Sequence, residues 1–317
     1  MQCFTGILFS EGGSMDLKDL MMLYGVTLGS RKTQRKKNLF VETVKDACKE
    51  MDVPVKVQQN KEGMFTSTSI VIGNLDTAQY VFLAGFDTPV QYLTGLKQYP
   101  FHPERSSKAE NIKNCIRFLI VALLAVCAYF PLQALVSQGV KLSSVLTLMV
   151  LLAGIVILLF PRANPYNFSR SSAVAVMMKL VERRDTKTAF VMCDHTVSGY
   201  IGYRAVKKEI SENSKVILLG PMASGKRTVV AFKDRDSQFA SALAEQISDD
   251  VIRRKYAKEE AERNCLSLFQ HCIYIGCGDI ENREFVANDT ACRKDMQVDM
   301  ERLERIVNGL ERGIMHE

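Results

Sequence analysis

The chain has 317 residues, which is enough for one large domain or two small ones. Its net charge of +6 is not gathered into a separate basic stripe of the kind that binds nucleic acid, so nucleic acid is not expected as a partner. The nine cysteines are an odd number, and they fit reduced thiols in a cytosolic domain better than a disulfide framework.

Two uncharged apolar runs of 19 residues stand in the middle of the chain, at Phe118–Val136 and Leu142–Phe160. A helix of about 20 residues crosses the ~30 Å hydrocarbon core of a bilayer. The intervening Ser137–Lys141 is long enough only for a tight turn. The sequence therefore predicts a transmembrane helical hairpin within residues 111–163, and the alternative is a buried helix pair in a large soluble core.

Basic residues flank the predicted spans unevenly. The turn carries only Lys141, whereas the outer flanks carry Arg105, Lys108, Lys113, Arg117, Arg162 and Arg170. The positive-inside rule then predicts a plasma (inner) membrane protein with both termini and the soluble domain in the cytoplasm. We expect no signal peptide in Met1–Gly13, because a basic start and a sustained apolar core are missing there.

The soluble segments, residues 1–110 and 164–317, show alternating helix and strand patterns and are expected to form one domain. Helical spacing predicts helices at Met15–Leu28, Lys36–Met51, Ser171–Arg184, Gly199–Ile210, Ser237–Lys258 and Val298–Glu311. Apolar or alternating runs predict strands at Val53–Gln58, Thr66–Ile72, Gln79–Ala84, Thr188–Cys193, Lys215–Leu219, Arg227–Phe232 and Cys272–Ile275. A turn signal at Gly73–Asp76 joins the second and third of these strands. Such alternation indicates an α/β domain with a largely parallel or mixed sheet.

Five short stretches each follow a predicted strand or begin a predicted helix, and their order along the chain can be compared with the motifs of known families. They are Gly85–Thr88 (GFDT), Phe168–Ala175 (FSRSSAVA), Asp194–Ala205 (DHTVSGYIGYRA), Gly220–Gly225 (GPMASG) and Phe285–Thr290 (FVANDT). Together they resemble the motifs of the co-catalytic di-zinc aminopeptidase family, which includes leucyl aminopeptidases, glutaminyl cyclases and the transferrin receptor ectodomain. The resemblance implies a zinc-exopeptidase-type mixed sheet flanked by helices, here interrupted by the two-helix hairpin.

The departures from these motifs matter more than the matches. The family holds two zinc ions with imidazole and carboxylate ligands, and the resemblance places other residue types at those positions: Gly85, Ser169, Val197, Gly220 and Phe285. The family's general-base glutamate falls on Thr196, which is not a useful base near neutral pH. The resemblance therefore implies a chain without the metal set, and we expect no bound metal or cofactor.

Several neighbouring family positions are retained, and this combination predicts a pseudo-peptidase. The retained positions are Asp87, Thr88, Gly199, Gly202, Arg204, Asp289 and Thr290. The hypothesis that follows is a membrane-anchored accessory subunit of a membrane complex, possibly a transporter. Its expected partners are an integral membrane protein and the lipid bilayer, with no small-molecule substrate.

Two alternatives stay open. A membrane-tethered hydrolase could use a rebuilt site formed by Asp87, Asp194, His195 or Asp289. A nucleotide-binding protein could use Gly220–Thr228 (GPMASGKRT), which contains G-x-x-x-x-G-K after a strand, although the residues that follow have a strand pattern where a phosphate-binding loop requires a helix.

Two further groups have weaker patterns. Cys265, His271, Cys272 and Cys277 form a loose thiol–imidazole cluster whose spacing lacks the close pairs of zinc sites, so buried structural roles are favoured. The basic run Arg31–Lys37 (RKTQRKK) is predicted to be a solvated helix start or a lipid-facing patch.

Overall fold

The computed structural model describes residues 15–62, 65–92, 94–165, 167–196, 200–223, 225–292 and 294–315, and the side chains of Glu62, Phe65, Gln138, Asp289 and Met315 lie outside that description. The chain separates into two compact units. The first combines Met1–Pro103 with Asn164–Glu317, and the second is Glu104–Ala163.

Helices and strands alternate along the first unit. Its helices are α1 (Leu17–Met22), continued by a π-helix at Leu23–Thr27, α2 (Gln34–Glu50), α5 (Phe168–Glu182), α6 (Ile201–Lys207), α7 (Ser237–Ile247), α8 (Lys258–Glu262) and α9 (Met300–Leu310). Its strands are β1 (Val55–Glu62), β2 (Phe65–Ile72), β3 (Tyr80–Gly85), β4 (Leu96–Gln98), β5 (Thr188–Cys193), β6 (Lys215–Leu219), β7 (Arg227–Phe232), β8 (Ile252–Lys255), β9 (His271–Glu281) and β10 (Glu284–Thr290).

All ten strands belong to one mixed sheet, in the order β1-β2-β5-β3-β6-β9-β10-β4, with β7 paired to β9 and β8. The centre is parallel, because β3 pairs in parallel with β5 and β6, and β6 pairs in parallel with β9. The predicted α/β fold class with a mixed sheet flanked by helices is confirmed.

The central strands are buried on both faces, as expected for parallel strands covered by helices. In β3, Phe82 packs into one core with α1, α2, α5, α7 and α9, whereas Val81 and Leu83 pack into a second core that includes residues of α6. Alternate side chains of a strand point to opposite faces, which is why one short apolar run supports both cores.

The second unit consists of two long helices, α3 (Pro103–Gln138) and α4 (Leu142–Leu159). Both are long and apolar enough to span a membrane, and only 6% and 0% of their most apolar windows are buried. Such exposure contradicts the alternative of a buried core pair, because core helices hide their apolar side chains. Gly139 has φ +78° at the turn, a left-handed conformation that favours glycine.

The Gly73–Asp76 turn does connect β2 to β3 along the chain, and β5 lies between these two strands in the sheet. Two other predictions about strands and helices were wrong. The helix predicted over Ser237–Lys258 ends at Ile247. Strand β8, whose residues alternate between half-buried and exposed, follows it and pairs in parallel with β7. The short strand predicted at Cys272–Ile275 is the middle of the eleven-residue β9, which also pairs with β7 and β10.

Candidate functional site

The carboxyl ends of the parallel strands β3, β5 and β6 meet at one edge of the sheet, where open α/β sheets place their ligand sites. A cavity of about 120 Å³, here called the strand-end pocket, lies at this edge. Gly85, Thr196 and Gly220 line it together with Arg170 and Tyr274. The structure thus brings together three of the positions that the family motifs singled out.

Both glycines in the strand-end pocket make room for a hydroxyl group. A Cβ atom on Gly85 would lie 2.3 Å from Thr196 Oγ1, and a Cβ atom on Gly220 would lie 2.2 Å from Tyr274 Oη. These separations are far below van der Waals contact. The hydroxyl groups of Thr196 and Tyr274 therefore occupy the space that the Cβ atom of a metal-binding side chain at Gly85 or Gly220 would need.

A guanidinium group stands among these residues. Thr196 Oγ1 donates a hydrogen bond of 2.5 Å to Asp87 Oδ1, and Arg170 Nη1 lies 3.4 Å from the same carboxylate oxygen and 3.5 Å from Thr196 Oγ1. The Arg170 side chain is 17% exposed. The positive charge beside Asp87 thus comes from an arginine that opens α5.

Ser169 and Phe285 lie away from this cluster. The Ser169 backbone N–H donates to Asp295 Oδ1 at 3.0 Å, and the Ser169 hydroxyl donates to the same oxygen. Phe285 is buried against Phe101, with ring centroids 5.7 Å apart. Val197, the remaining ligand position, lies outside the described residues.

Asp295 is an acidic residue that the sequence patterns did not single out. Burial raises the pKa of its carboxyl group to about 6, while the hydrogen bonds from Ser169 and Ala291 and the charge of Arg170 act in the opposite direction. The carboxylate therefore changes charge within the range of ordinary cellular pH.

These side chains do not fit the pair of zinc ions that the fold family uses. Gly85 and Gly220 have no donor atom, Thr196 already donates to Asp87, and the guanidinium of Arg170 opposes a divalent cation by charge repulsion. Among the described residues, no group of three or more His, Cys, Asp or Glu side chains is arranged to hold a metal ion.

Solved structures with a similar fold are known. Glutaminyl cyclase from Macrostomum lignano is 9% identical, covers 98% of this chain and 97% of its own, and superposes with a TM-score of 0.53. Glutaminyl cyclase from Bacteroides thetaiotaomicron, bound to N-acetylhistamine, is 9% identical, with 95% of both chains covered and a TM-score of 0.51. Legionella pneumophila LapA is 11% identical, with 95% of this chain and 72% of its own covered and a TM-score of 0.50.

No family model matches the sequence, and no curated protein matches it either. The chain has an aminopeptidase-like fold. Identities of about 10% show the fold alone, and function has to be argued from the residues at the site.

Three of the retained motif residues have structural roles. Thr88 Oγ1 accepts from the Arg31 backbone N–H at 2.7 Å, and Thr290 Oγ1 donates to the Leu96 carbonyl at 2.7 Å. Gly202 allows close approach, since a Cβ there would lie 2.0 Å from the Asp194 carbonyl oxygen. The remaining positions are the exposed Arg204, Asp289 in β10 with its side chain outside the description, and Gly199 outside the described residues.

The prediction of a solvated or lipid-facing role for Arg31–Lys37 was wrong at its two ends. Arg31 is fully buried, and its side chain donates to the carbonyls of Phe86, Tyr24 and Leu28 and to Ser171 Oγ at 2.5–2.8 Å. Burial lowers the pKa of Arg31 to about 9, so the group still carries its charge at neutral pH.

Lys37, at the other end of the run, forms a buried ion pair. Its Nζ lies 2.5 Å from Asp194 Oδ2, and the two side chains are 11% and 2% exposed. Asp194 Oδ1 accepts from the backbone N–H of His195 at 2.9 Å. This pairing occupies one of the carboxylates that a rebuilt hydrolytic site would need.

The four residues of the candidate thiol–imidazole cluster do not form one site. Cys265 and Cys272 are buried in one core and Cys277 in the other, on the opposite face of the sheet. His271 Nδ1 lies 2.8 Å from Asp236 Oδ1 instead. Burial raises the pKa of the Cys265 thiol to about 12 and that of Cys272 well above its ordinary value, which disfavours the thiolate that binds metals.

The structure does not support a phosphate-binding loop at Gly220–Thr228. The segment runs into strand β7, whereas such a loop opens a helix. Arg302 Nη1 donates to the Gly225 carbonyl at 2.5 Å, so the loop presents a carbonyl oxygen to a cation. A glycine-rich turn between two strands is what the sequence forms here.

Tyr274 and Arg170 are the site residues that the sequence reasoning missed. Arg170 belongs to the Phe168–Ala175 motif, but in the sequence it stands beside the second predicted membrane span and is interpreted as one of its flanking charges. Tyr274 lies in the middle of a strand pattern, and only the sheet register brings its ring beneath Gly220. No signal in the sequence alone distinguishes it from an ordinary core tyrosine.

Proposed function

We propose that this chain is a membrane-anchored, non-catalytic member of the aminopeptidase-like fold group that serves as an accessory subunit of a membrane complex. The observation that carries the proposal is the replacement of a metal-binding edge by Arg170, Asp87 and Thr196, with hydroxyl groups filling the space beside Gly85 and Gly220. Among the described residues this edge has no metal-ligand set, and Thr196 stands where the fold family has its general-base glutamate.

Two features support membrane attachment. Helices α3 and α4 have the length and composition of membrane spans, and their apolar side chains are exposed in the way that lipid-facing side chains are. Arg105, Lys108, Lys113, Arg117 and Arg162 flank them, against Lys141 in the turn, which supports a cytoplasmic domain. Arg170 no longer counts as a flank charge, because it lies within the folded domain.

An enzymatic function is the alternative, and the fold likeness supports it, because glutaminyl cyclases are among the similar structures. A hydrolase would have to act through Asp87, Asp194, His195 or Asp289. Metal-dependent turnover of an aminoacyl or peptide substrate by the purified chain, abolished in Asp87→Asn, would favour this alternative.

The accessory role is tested by purification from the native membrane in mild detergent. A tagged chain is expected to retain an integral membrane protein in fixed stoichiometry, and tagging that protein should recover the chain in return. The matched control replaces α3 and α4 by an unrelated two-span hairpin, which keeps the domain at the membrane. A wild-type chain that purifies alone would contradict the proposed role.

A further inference from the structure

The strand-end pocket contains hydrogen-bond donors that nothing in the described part of the chain uses. Tyr274 Oη and Arg170 Nε are both buried without a hydrogen-bond partner among the described residues. Buried polar groups of this kind are uncommon in folded proteins, and an absent ligand or water is a usual explanation. Both residues line the same cavity.

Both of these groups are donors at neutral pH. Burial raises the pKa of the Tyr274 phenol far above neutrality, so the hydroxyl keeps its proton. A guanidinium group has five N–H donors and no acceptor. An occupant that satisfies both side chains therefore needs two acceptor lone pairs, and the two oxygens of a carboxylate can supply one to each donor.

Two arginines and two carboxylates set the charge near the pocket. Arg31 and Arg170 both interact electrostatically with Asp87, and Arg170 also interacts with the carboxylate of Asp295. The Lys37–Asp194 pair is neutral as a unit. The charges therefore nearly balance at neutral pH, and the two unpartnered donors decide which occupant the pocket favours.

We infer that the strand-end pocket binds a carboxylate group, with its oxygens accepting hydrogen bonds from Tyr274 Oη and the Arg170 guanidinium. Planar guanidinium groups match the two oxygens of a carboxylate. The volume of about 120 Å³ corresponds to about four water molecules at ~30 Å³ each, which is enough for an acetate-sized group.

This inference rests on the proposed function, because a pair of metal ions would take the same space. The carboxylate could belong to a free small acid or to the C-terminus of a peptide segment from a partner protein. Both sources would present the same carboxylate group to the pocket. They differ in whether a peptide chain is attached to that carboxylate.

Calorimetric titration of the full-length chain in detergent tests the inference. Acetate serves as the free acid, N-acetylglycine as the analogue of a peptide C-terminus, and N-acetylglycinamide as the uncharged control. We expect saturable binding of at least one acid and none of the amide. Binding of acetate alone would indicate a free acid, and binding of N-acetylglycine would indicate a chain terminus.

Two matched tyrosine variants locate the site. Tyr274→Phe removes only the unpartnered hydroxyl and should weaken binding of the acid by about tenfold or more, since hydrogen bonds to charged groups are strong. Tyr256→Phe is the control, because its hydroxyl is likewise buried and unpartnered among the described residues, but Tyr256 lines a different cavity. It should leave the affinity unchanged.

The outcomes separate the two proposals. A zinc-free chain that binds neither acid, or whose affinity falls equally in both tyrosine variants, would overturn the carboxylate site and leave the non-catalytic role standing. Tight binding of about two zinc ions, with acids binding only to the zinc-loaded chain, would overturn both.

Discussion

Two arginines lie near Asp87, and their surroundings differ sharply. Arg31 is fully buried, and its guanidinium donates to three carbonyls and one hydroxyl at 2.5–2.8 Å. Arg170 is partly exposed, makes contacts of 3.4 Å and 3.5 Å, and has a buried Nε without a partner among the described residues.

The difference separates a structural arginine from one that is available for binding. Arg31 ties the π-helix, the residue after β3 and the start of α5 together, so its hydrogen-bonding capacity is spent inside the fold. Arg170 places its charge at the strand-end pocket, and its Nε donor has no partner among the described residues. The Arg31 contacts hold the fold together, and the strand-end pocket beside them has residues unlike a zinc site. This combination is expected of a fold that has taken on a different role.

The largest expected effect comes from Arg31. Arg31→Met removes a donor from the buried carbonyls of Phe86 and Leu28 and from Ser171 Oγ, while the Tyr24 carbonyl still accepts from Ser171 Oγ. We expect the free energy of unfolding to fall by about 3–5 kcal/mol. Urea unfolding in detergent, followed by circular dichroism, measures it. Arg31→Lys keeps the charge and should lose less. A loss below about 1 kcal/mol in Arg31→Met would contradict the structural role.

Asp295 gives the next largest effect, and it depends on pH. Its folded pKa of about 6 exceeds the ordinary 3.8, so the folded chain holds the proton more tightly. The resulting stabilisation is complete below about pH 4 and is lost as pH rises through 6, by about 3 kcal/mol for a shift of about two units. Asp295→Asn should not show this loss, and parallel pH profiles for the two chains would refute the shift.

Gly85→Ala tests the crowding on the side of Arg170. The new Cβ would lie 2.3 Å from Thr196 Oγ1, so Thr196 must move away from Asp87. Overpacking of this kind typically costs about 1–3 kcal/mol. Gly154→Ala, in α4, is the control, because its new Cβ would lie 3.5 Å from Leu124 Cδ1, which is an ordinary van der Waals contact. Equal free energies of unfolding in urea for the Gly85→Ala and wild-type chains would contradict the close packing of Thr196 against Gly85.

Arg170 should have the smallest effect on stability. Arg170→Met removes only long, partly exposed contacts, and we expect a change of about 1 kcal/mol or less in the free energy of unfolding. The same variant should abolish calorimetric binding of the acid, which separates binding from folding. A loss of stability as large as that of Arg31→Met would erase the distinction between the two arginines.

Much of the fold could be predicted because it depends on local patterns. The apolar runs of β3, β5 and β6 and the periodicity of α2 are readable without contacts. The position of β5 between β2 and β3 is a long-range pairing, and no turn signal at Gly73–Asp76 reveals it. Strand β8 was not predicted because three of its four residues are charged and it lies at an edge, paired only with β7.

The candidate site was only partly predictable, for a related reason. Ordered motifs placed Gly85, Thr196 and Gly220 together, and the structure does bring them to one pocket. The burial of Arg31 and Lys37 in a run of surface-type residues depends on partners more than 50 positions away. Charged residues are seldom buried without such partners, so composition alone predicts a solvated helix start.

The zinc content of the purified, detergent-solubilised chain tests the central claim most directly. The protein is incubated with zinc, freed of excess ion, and analysed by mass spectrometry. The account predicts near-zero zinc per chain, because the strand-end pocket has glycines at two ligand positions and, beside them, a threonine hydroxyl bonded to Asp87 and a guanidinium group. About two tightly held zinc ions per chain would contradict it and would direct attention to a rebuilt hydrolytic site.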